Sequence, residues 1–207
     1  MSEQLANLFD EVEFDSTIKK KHLRTYHPID PNQLGQSDVI RILINNQDAY
    51  TLPSESYLKF EGELTNEKDE KVSHTTLTNN AFAYLISELR YELAGQELIN
   101  VKNVGLTSTL KGLLCFTPDD AVRYSNAGWL SPSSNTSHVL KDKKFSVCIP
   151  LKFLASIFED YTGPVVNVKQ ELILIRSRTD LDCFKVAHDA TTHLPKEQPK
   201  IDRKSVV

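Results

Sequence analysis

The chain has 207 residues, 40% of them hydrophobic, enough for one sizeable core and therefore for a single domain. Its 24 basic and 28 acidic side chains give a formal net charge of −4, which excludes a broadly cationic surface that grips nucleic acid by neutralising phosphates. No apolar run approaches the ~20 residues of a membrane helix, and Met1-Ser2-Glu3-Gln4 lacks the basic-then-apolar profile of a secretory signal.

Residues 1–36 are polar, with Pro28 and Pro31 near their end, and are predicted to form an extended arm with a short helix at 3–9. The arm holds the one dense basic cluster, Lys19-Lys20-Lys21-His22-Leu23-Arg24. It reads as a solvated run, and Lys19, Lys20, Lys21 and Arg24 are the candidate contact for any nucleic acid. Val39-Ile40-Arg41-Ile42-Leu43-Ile44 is β-branched and apolar on both faces, as in a strand buried between two layers. From Tyr57 on, Leu58, Phe60 and Leu64 take one face and Lys59, Glu61 and Glu63 the other, the pattern of a half-buried antiparallel strand.

Behind Asn79 or Asn80, either of which can cap, Phe82, Leu85 and Ile86 fall at helical spacing. Alternation returns with Leu89, Tyr91 and Leu93, while Glu88, Arg90 and Glu92 are expected to share a polar outer face with a cross-strand ion pair. Ala94-Gly95-Gln96-Glu97 then turns the chain into Leu98-Ile99. Leu106, Leu110, Leu113 and Leu114 fit i, i+4, i+7, i+8 and predict a helix at 105–115 with its leucines on the core. A second helix is predicted at 118–126, with Thr117 as cap, Pro118 in the first turn, Asp120 in the capping-box position and Gly128 closing.

Phe145, Val147 and Ile149 alternate as a strand ended by Pro150, and Leu151, Leu154, Ala155 and Phe158 line one face of a helix at 151–159. After the break at Gly163-Pro164, a strand is predicted over 165–177. Residues 187–207 have little to bury. Strands divided by loops and a few short helices predict an all-β fold, an antiparallel sandwich with short helical insertions.

The chain contains no GxSxG, HExxH, GxGxxG or P-loop pattern. The six histidines, His22, His27, His74, His138, His188 and His193, fall in predicted loops or tails, none at metal-ligand spacing. The three cysteines, Cys115, Cys148 and Cys183, lie 33 and 35 residues apart, the usage of a reducing compartment with ordinary buried thiols. Cytosolic or nuclear residence is expected, and no catalytic residue, metal or cofactor is nominated.

The candidate contact residues are Trp129, Tyr124, Glu159 and Asp160. Trp129 either covers its own core or anchors a subunit contact, since tryptophan is enriched in interface hot spots. Glu159-Asp160 sits at the negative end of a helix dipole, as an exposed turn or as a dock for a partner's Lys or Arg. Phe9, Phe14, Tyr26 and Tyr50 stand in polar segments without a local core.

Four ordered motifs carry a resemblance. Asn79-Asn80-Ala81-Phe82-Ala83-Tyr84-Leu85 leads into Glu88-Leu89-Arg90-Tyr91-Glu92-Leu93-Ala94-Gly95. Asn103-Val104-Gly105-Leu106-Thr107-Ser108-Thr109-Leu110-Lys111 and Asn126-Ala127-Gly128-Trp129-Leu130 follow. With Ile149-Pro150-Leu151-Lys152-Phe153-Leu154 and Glu171-Leu172-Ile173-Leu174-Ile175-Arg176-Ser177, they resemble over about residues 38–180 the double jelly-roll-like family of invertebrate genomes, related to major capsid proteins of Polinton/Maverick-type elements and large DNA viruses. The resemblance implies a jelly-roll sandwich and a structural, non-enzymatic capsid role in the virion. The implied partners are its own kind, in trimeric capsomers, or a second jelly-roll polypeptide, with no membrane and no cofactor.

The division it implies is an arm at 1–36, a jelly roll at 37–180 as the first half of a double one, and a polar tail or linker to a missing second jelly roll at 181–207. The competing reading is a monomeric, carbohydrate-recognising β-sandwich with Trp129 and Tyr124 as a stacking platform.

Overall fold

The computed structural model describes residues 20–31, 35–46, 49–66, 75–130, 144–186 and 199–206. The elements, in chain order, are β1 (Val39–Ile44), β2 (Tyr57–Asn66), β3 (Thr75–Leu77), α1 (Ala81–Tyr84), β4 (Ile86–Leu93), β5 (Gln96–Lys102), α2 (Val104–Cys115) and α3 (Pro118–Arg123). They continue with β6 (Lys144–Pro150), α4 (Leu151–Leu154), α5 (Ile157–Asp160), β7 (Gln170–Arg176), β8 (Phe184–Val186) and β9 (Pro199–Val206). Every strand pair is antiparallel. One sheet runs β1-β7-β4-β5, a second runs β6-β2-β9, and β3 pairs with β8. The fold is the expected all-β antiparallel jelly-roll sandwich with short helical insertions.

Alternation builds the core. Leu58, Phe60 and Leu64 of β2, Leu89 and Tyr91 of β4, and Phe145, Val147 and Ile149 of β6 are buried in one continuous cluster, while Lys59 and Glu61 pair outside at 2.6 Å. The strand buried on both faces is β7, through Leu172, Ile173 and Leu174. It is not β1, as Val39 to Ile44 led one to expect. β1 is an edge with a single strand neighbour, so Ile40 and Ile42 go inward while Val39 and Arg41 face out. Alternating hydrophobicity cannot separate a central strand from an edge strand that is rich in branched residues.

Other boundaries move for local reasons. The strand predicted over 165–177 is divided, because Asn167 takes a left-handed φ of 46°. Val165 bridges to Thr51, and β7 begins only at Gln170. The single helix predicted at 151–159 is two short ones, separated at Ala155, whose φ −143° and ψ 135° are extended. Leu151, Leu154, Ala155 and Phe158 are nonetheless all buried. Ala94 and Gly95 both have positive φ, 53° and 81°, the geometry of a tight two-residue hairpin turn between β4 and β5.

Residues 181–207, read as a polar tail or linker, contribute β8 and β9. Five of the eight residues of β9 are polar or charged, Ile201 enters the core, and the strand joins through backbone pairing to β2. A buried ion pair fastens it to the other sheet. Arg176 of β7 holds Asp180 and donates from Nη1 to the Leu85 carbonyl at 3.3 Å. The second Asp180 oxygen accepts the Ile201 amide at 3.2 Å. Removing either charge would leave the other buried without its partner, at a cost of ~3–5 kcal/mol.

Candidate subunit-contact site

The helix α2 has two unlike faces. Its inner face is Val104, Gly105, Ser108 and Gly112, all buried. A Cβ on Gly105 would lie 2.5 Å from the Tyr84 ring, and one on Gly112 would lie 2.5 Å from Trp129 Cη2. Small residues are therefore required by close approach. Asn80 holds the helix in place: its Nδ2 donates to Ser108 Oγ at 2.8 Å and to Thr109 Oγ1 at 3.0 Å, and its backbone amide donates to the Gly128 carbonyl at 2.8 Å. Neither asparagine caps α1 through its side chain. Asn79 instead grips Leu130, donating to its carbonyl at 2.9 Å and accepting its amide at 2.7 Å.

This scaffold seats Trp129, which is 1% exposed. Its ring stands edge-on to Phe116 at 5.5 Å and to Phe153 at 5.8 Å. Tyr124 stacks on Phe153 at 5.9 Å and is partly buried. Of the two roles open to Trp129, the structure gives it that of a lid on its own core. As an interface anchor or a sugar platform it has no surface to offer. Thr117 and Asp120 make the expected capping box at the start of α3, which brings Tyr124 back toward this cluster.

The outer face of α2 overturns the expected orientation. Leu106, Leu110, Leu113 and Leu114 are 53%, 51%, 52% and 84% exposed. The cause is volume: Trp129 arrives from a distant segment and fills the space beneath the helix, so the large side chains turn away from it.

An open cleft of about 380 Å³ lies where Lys111 of α2 meets α4 and α5, lined among others by Glu55, Lys111, Phe116, Tyr124, Lys152 and Glu159. Glu159 ion-pairs with Lys111, whose Nζ also donates to the Lys152 carbonyl at 2.8 Å. A cation of the same chain thus occupies the place assigned to a partner's base, while Asp160 is exposed beside it.

Lys20, Lys21 and Arg24 are exposed, and Lys19 lies outside the described residues. Lys21 pairs with Glu55, and Arg24 Nη1 donates to Asn46 Oδ1 at 2.9 Å. Tyr26 packs on the core, and the Ile29 amide donates to Arg41 O at 2.8 Å, so this stretch of the arm lies along β1. Tyr50 is exposed; Phe9 and Phe14 lie outside the described residues.

On the outer face of β4, Arg90 ion-pairs with Glu88 and reaches Glu97 across the hairpin at 3.9 Å. The hydrogen bond from Arg90 holds the Glu88 carboxyl below its usual range. On the inner face, burial and then the Tyr161 charge push the Tyr91 phenol up to about 12, and its hydroxyl donates to Gln170 Oε1 at 2.8 Å. Cys183 is buried and Cys148 half-buried, but Cys115, expected to be an ordinary buried thiol, is exposed at the end of α2. His22 and His27 are exposed, and the other four histidines lie outside the described residues. Among the described residues no group of three or more His, Cys, Asp or Glu is placed to hold a metal, and no helix is long and apolar enough to cross a membrane.

A family model described as a double jelly roll-like domain matches residues 75–204. The crystal structure of the mavirus major capsid protein is similar with a TM-score of 0.53 and 10% identity, over 94% of this chain and 48% of that one. The cryo-EM structure of the Sputnik virophage is similar with a TM-score of 0.50 and 10% identity, over 95% of this chain and 51% of that one. The chain thus spans about half the length of the solved chains it matches. Comparison with curated proteins found no match.

Proposed function

Because the chain belongs to the double jelly roll-like domain family, we propose that it is a structural shell protein, one jelly roll of a viral-type capsid subunit or a genome-resident relic of one. The observation that carries this reading is the fit of 94% of the chain onto 48% of a major capsid protein. Its work is contact, and we assign it no catalytic residue. Residues 37–180 form the body of the jelly roll, residues 1–36 are an arm, and residues 181–207 lend β8 and β9 while leading toward a second jelly roll. Nucleic acid is met at most through the basic run Lys19–Arg24. The assembled protein resides in the virion and the free protein in cytoplasm or nucleus.

With Glu159 paired to Lys111, the exposed Asp160 is the carboxylate left to dock a partner's Lys or Arg, whereas the burial of Trp129 removes support from the carbohydrate-binding alternative. Electron microscopy of the chain co-expressed with a second jelly-roll polypeptide tests the proposal. Capsomers built on threefold symmetry, or shells, are the expected result. A lone monomer that retains glycans on an array would replace the shell reading with the binding module, and turnover in broad substrate profiling would overturn the non-catalytic assignment.

A further inference from the structure

We propose that the leucine face of α2 is the seat of a second jelly-roll sandwich, packed against this one through Leu106, Leu110, Leu113 and Leu114. The inference rests on the shell-protein reading and names the surface that serves it.

The face is built for a permanent contact. Lys111 is the only charged residue of α2, and its ammonium is turned to Glu159 and the Lys152 carbonyl. Covering the leucines therefore strands no charge, which matches the charge-depleted centre of a stable interface. A stripe of four leucines on a helix whose opposite face is glycine and serine is not a by-product of core packing, because the core beneath is already filled by Trp129. Exposed apolar surface of this kind marks an interaction site or an aggregation hazard.

The path of the chain indicates the occupant. β9 runs along β2 from opposite Asn66 to opposite Phe60, toward the end where Tyr57 pairs with Pro150. α4 begins at the next residue, and Lys111 of α2 is bonded to its Lys152 carbonyl. Val206 thus lies about three residues, or ~10 Å, from the end of β2 at which α2 meets α4. A chain continuing past Val206 leaves the sheet at this same end of the sandwich, on the edge of β2 opposite β6. The matched capsid chains are left about half uncovered, 48% and 51% being matched. That leaves room for a sandwich of equal size.

The test uses the full chain and, as probe, the separately expressed second jelly roll of a full-length double jelly roll protein from the same genome. Titration followed by sedimentation velocity is expected to give a one-to-one complex. The pair Leu110→Glu and Leu113→Glu should weaken it on the order of 100-fold, and so should Leu106→Lys with Leu114→Lys. Lys59→Glu on the outer face of β2 should leave it unchanged. Thermal melts that match the wild type keep folding defects out of the comparison.

A complex of unchanged affinity in both leucine variants would overturn the proposed surface and leave the shell reading standing. Self-association through the leucines that excess probe does not dissolve would overturn it in favour of a second copy. Binding that appears only after deletion of residues 1–19 would overturn it in favour of the chain's own arm as occupant. Absence of any complex, together with absence of assemblies under the microscope, would remove the shell reading itself.

Discussion

The inner and outer faces of α2 follow opposite rules within one helix. Inside, Gly105 meets the ring of Tyr84 and Gly112 that of Trp129 so closely that a single added carbon has no room. Outside, four leucines at helical spacing stand in solvent. The usual inference from an amphipathic stripe, that its large apolar side faces the core, fails because a tryptophan from elsewhere in the chain has taken the space. The difference teaches that a leucine stripe identifies an apolar face without saying which way that face points.

The comparison breaks most sharply at Trp129. Trp129→Ala should cost ~3–5 kcal/mol through lost burial and a cavity beneath α2, read as a lower denaturation midpoint in urea. A loss below ~1 kcal/mol would mean that the ring does not support the helix. Gly112→Val drives methyl groups into the same ring and should cost ~1–3 kcal/mol by overpacking, whereas a neutral result would deny the close approach.

A smaller effect comes from Tyr91, which packs on Phe158 with ring centroids 4.9 Å apart. Its phenol is raised from 10.0 to about 12 in the fold, so the folded state holds the proton more tightly than the unfolded one. The resulting stability is full below pH ~10 and is lost as pH rises toward 12. Urea midpoints measured from pH 9 to 12 should fall in the wild type and fall less in Tyr91→Phe. Equal slopes would contradict the burial argument.

The smallest effect belongs to the outer face. Leu110→Ala should change the stability of the isolated chain by less than ~1 kcal/mol, against ~2–5 kcal/mol for the fully buried Leu89→Ala. A large loss at Leu110 would put that leucine in the core after all.

What was legible in the sequence follows the same physics. β2, β4 and β6 announce themselves by apolar alternation and α3 by its capping box, because in these segments the local signal and the tertiary role agree. β1 and β7 stand out as apolar runs, though the run of β1 does not reveal its place at an edge. β9 was not legible. Its sequence, Pro199-Lys200-Ile201-Asp202-Arg203-Lys204-Ser205-Val206, shows no apolar alternation, and its place is set by backbone pairing with β2 and by Asp180. β5 was missed for a related reason: it is an edge strand largely exposed to solvent, held by its tight turn to β4. At the contact site, Trp129 and Tyr124 were visible as unusual aromatics, yet only the three-dimensional path shows them stacked inward. The leucines of α2 were visible as a stripe and assigned the wrong direction, since nothing in their spacing reports Trp129 beneath them.

The central claim, that this jelly roll carries an uncovered contact face and works as a shell subunit, is tested most directly by sedimentation velocity of the purified chain across micromolar concentrations. Wild type is predicted to associate as concentration rises, and Leu110→Glu with Leu113→Glu to remain a folded monomer over the same range. A compact wild-type monomer at every concentration that also forms no complex with a second jelly roll would contradict the account.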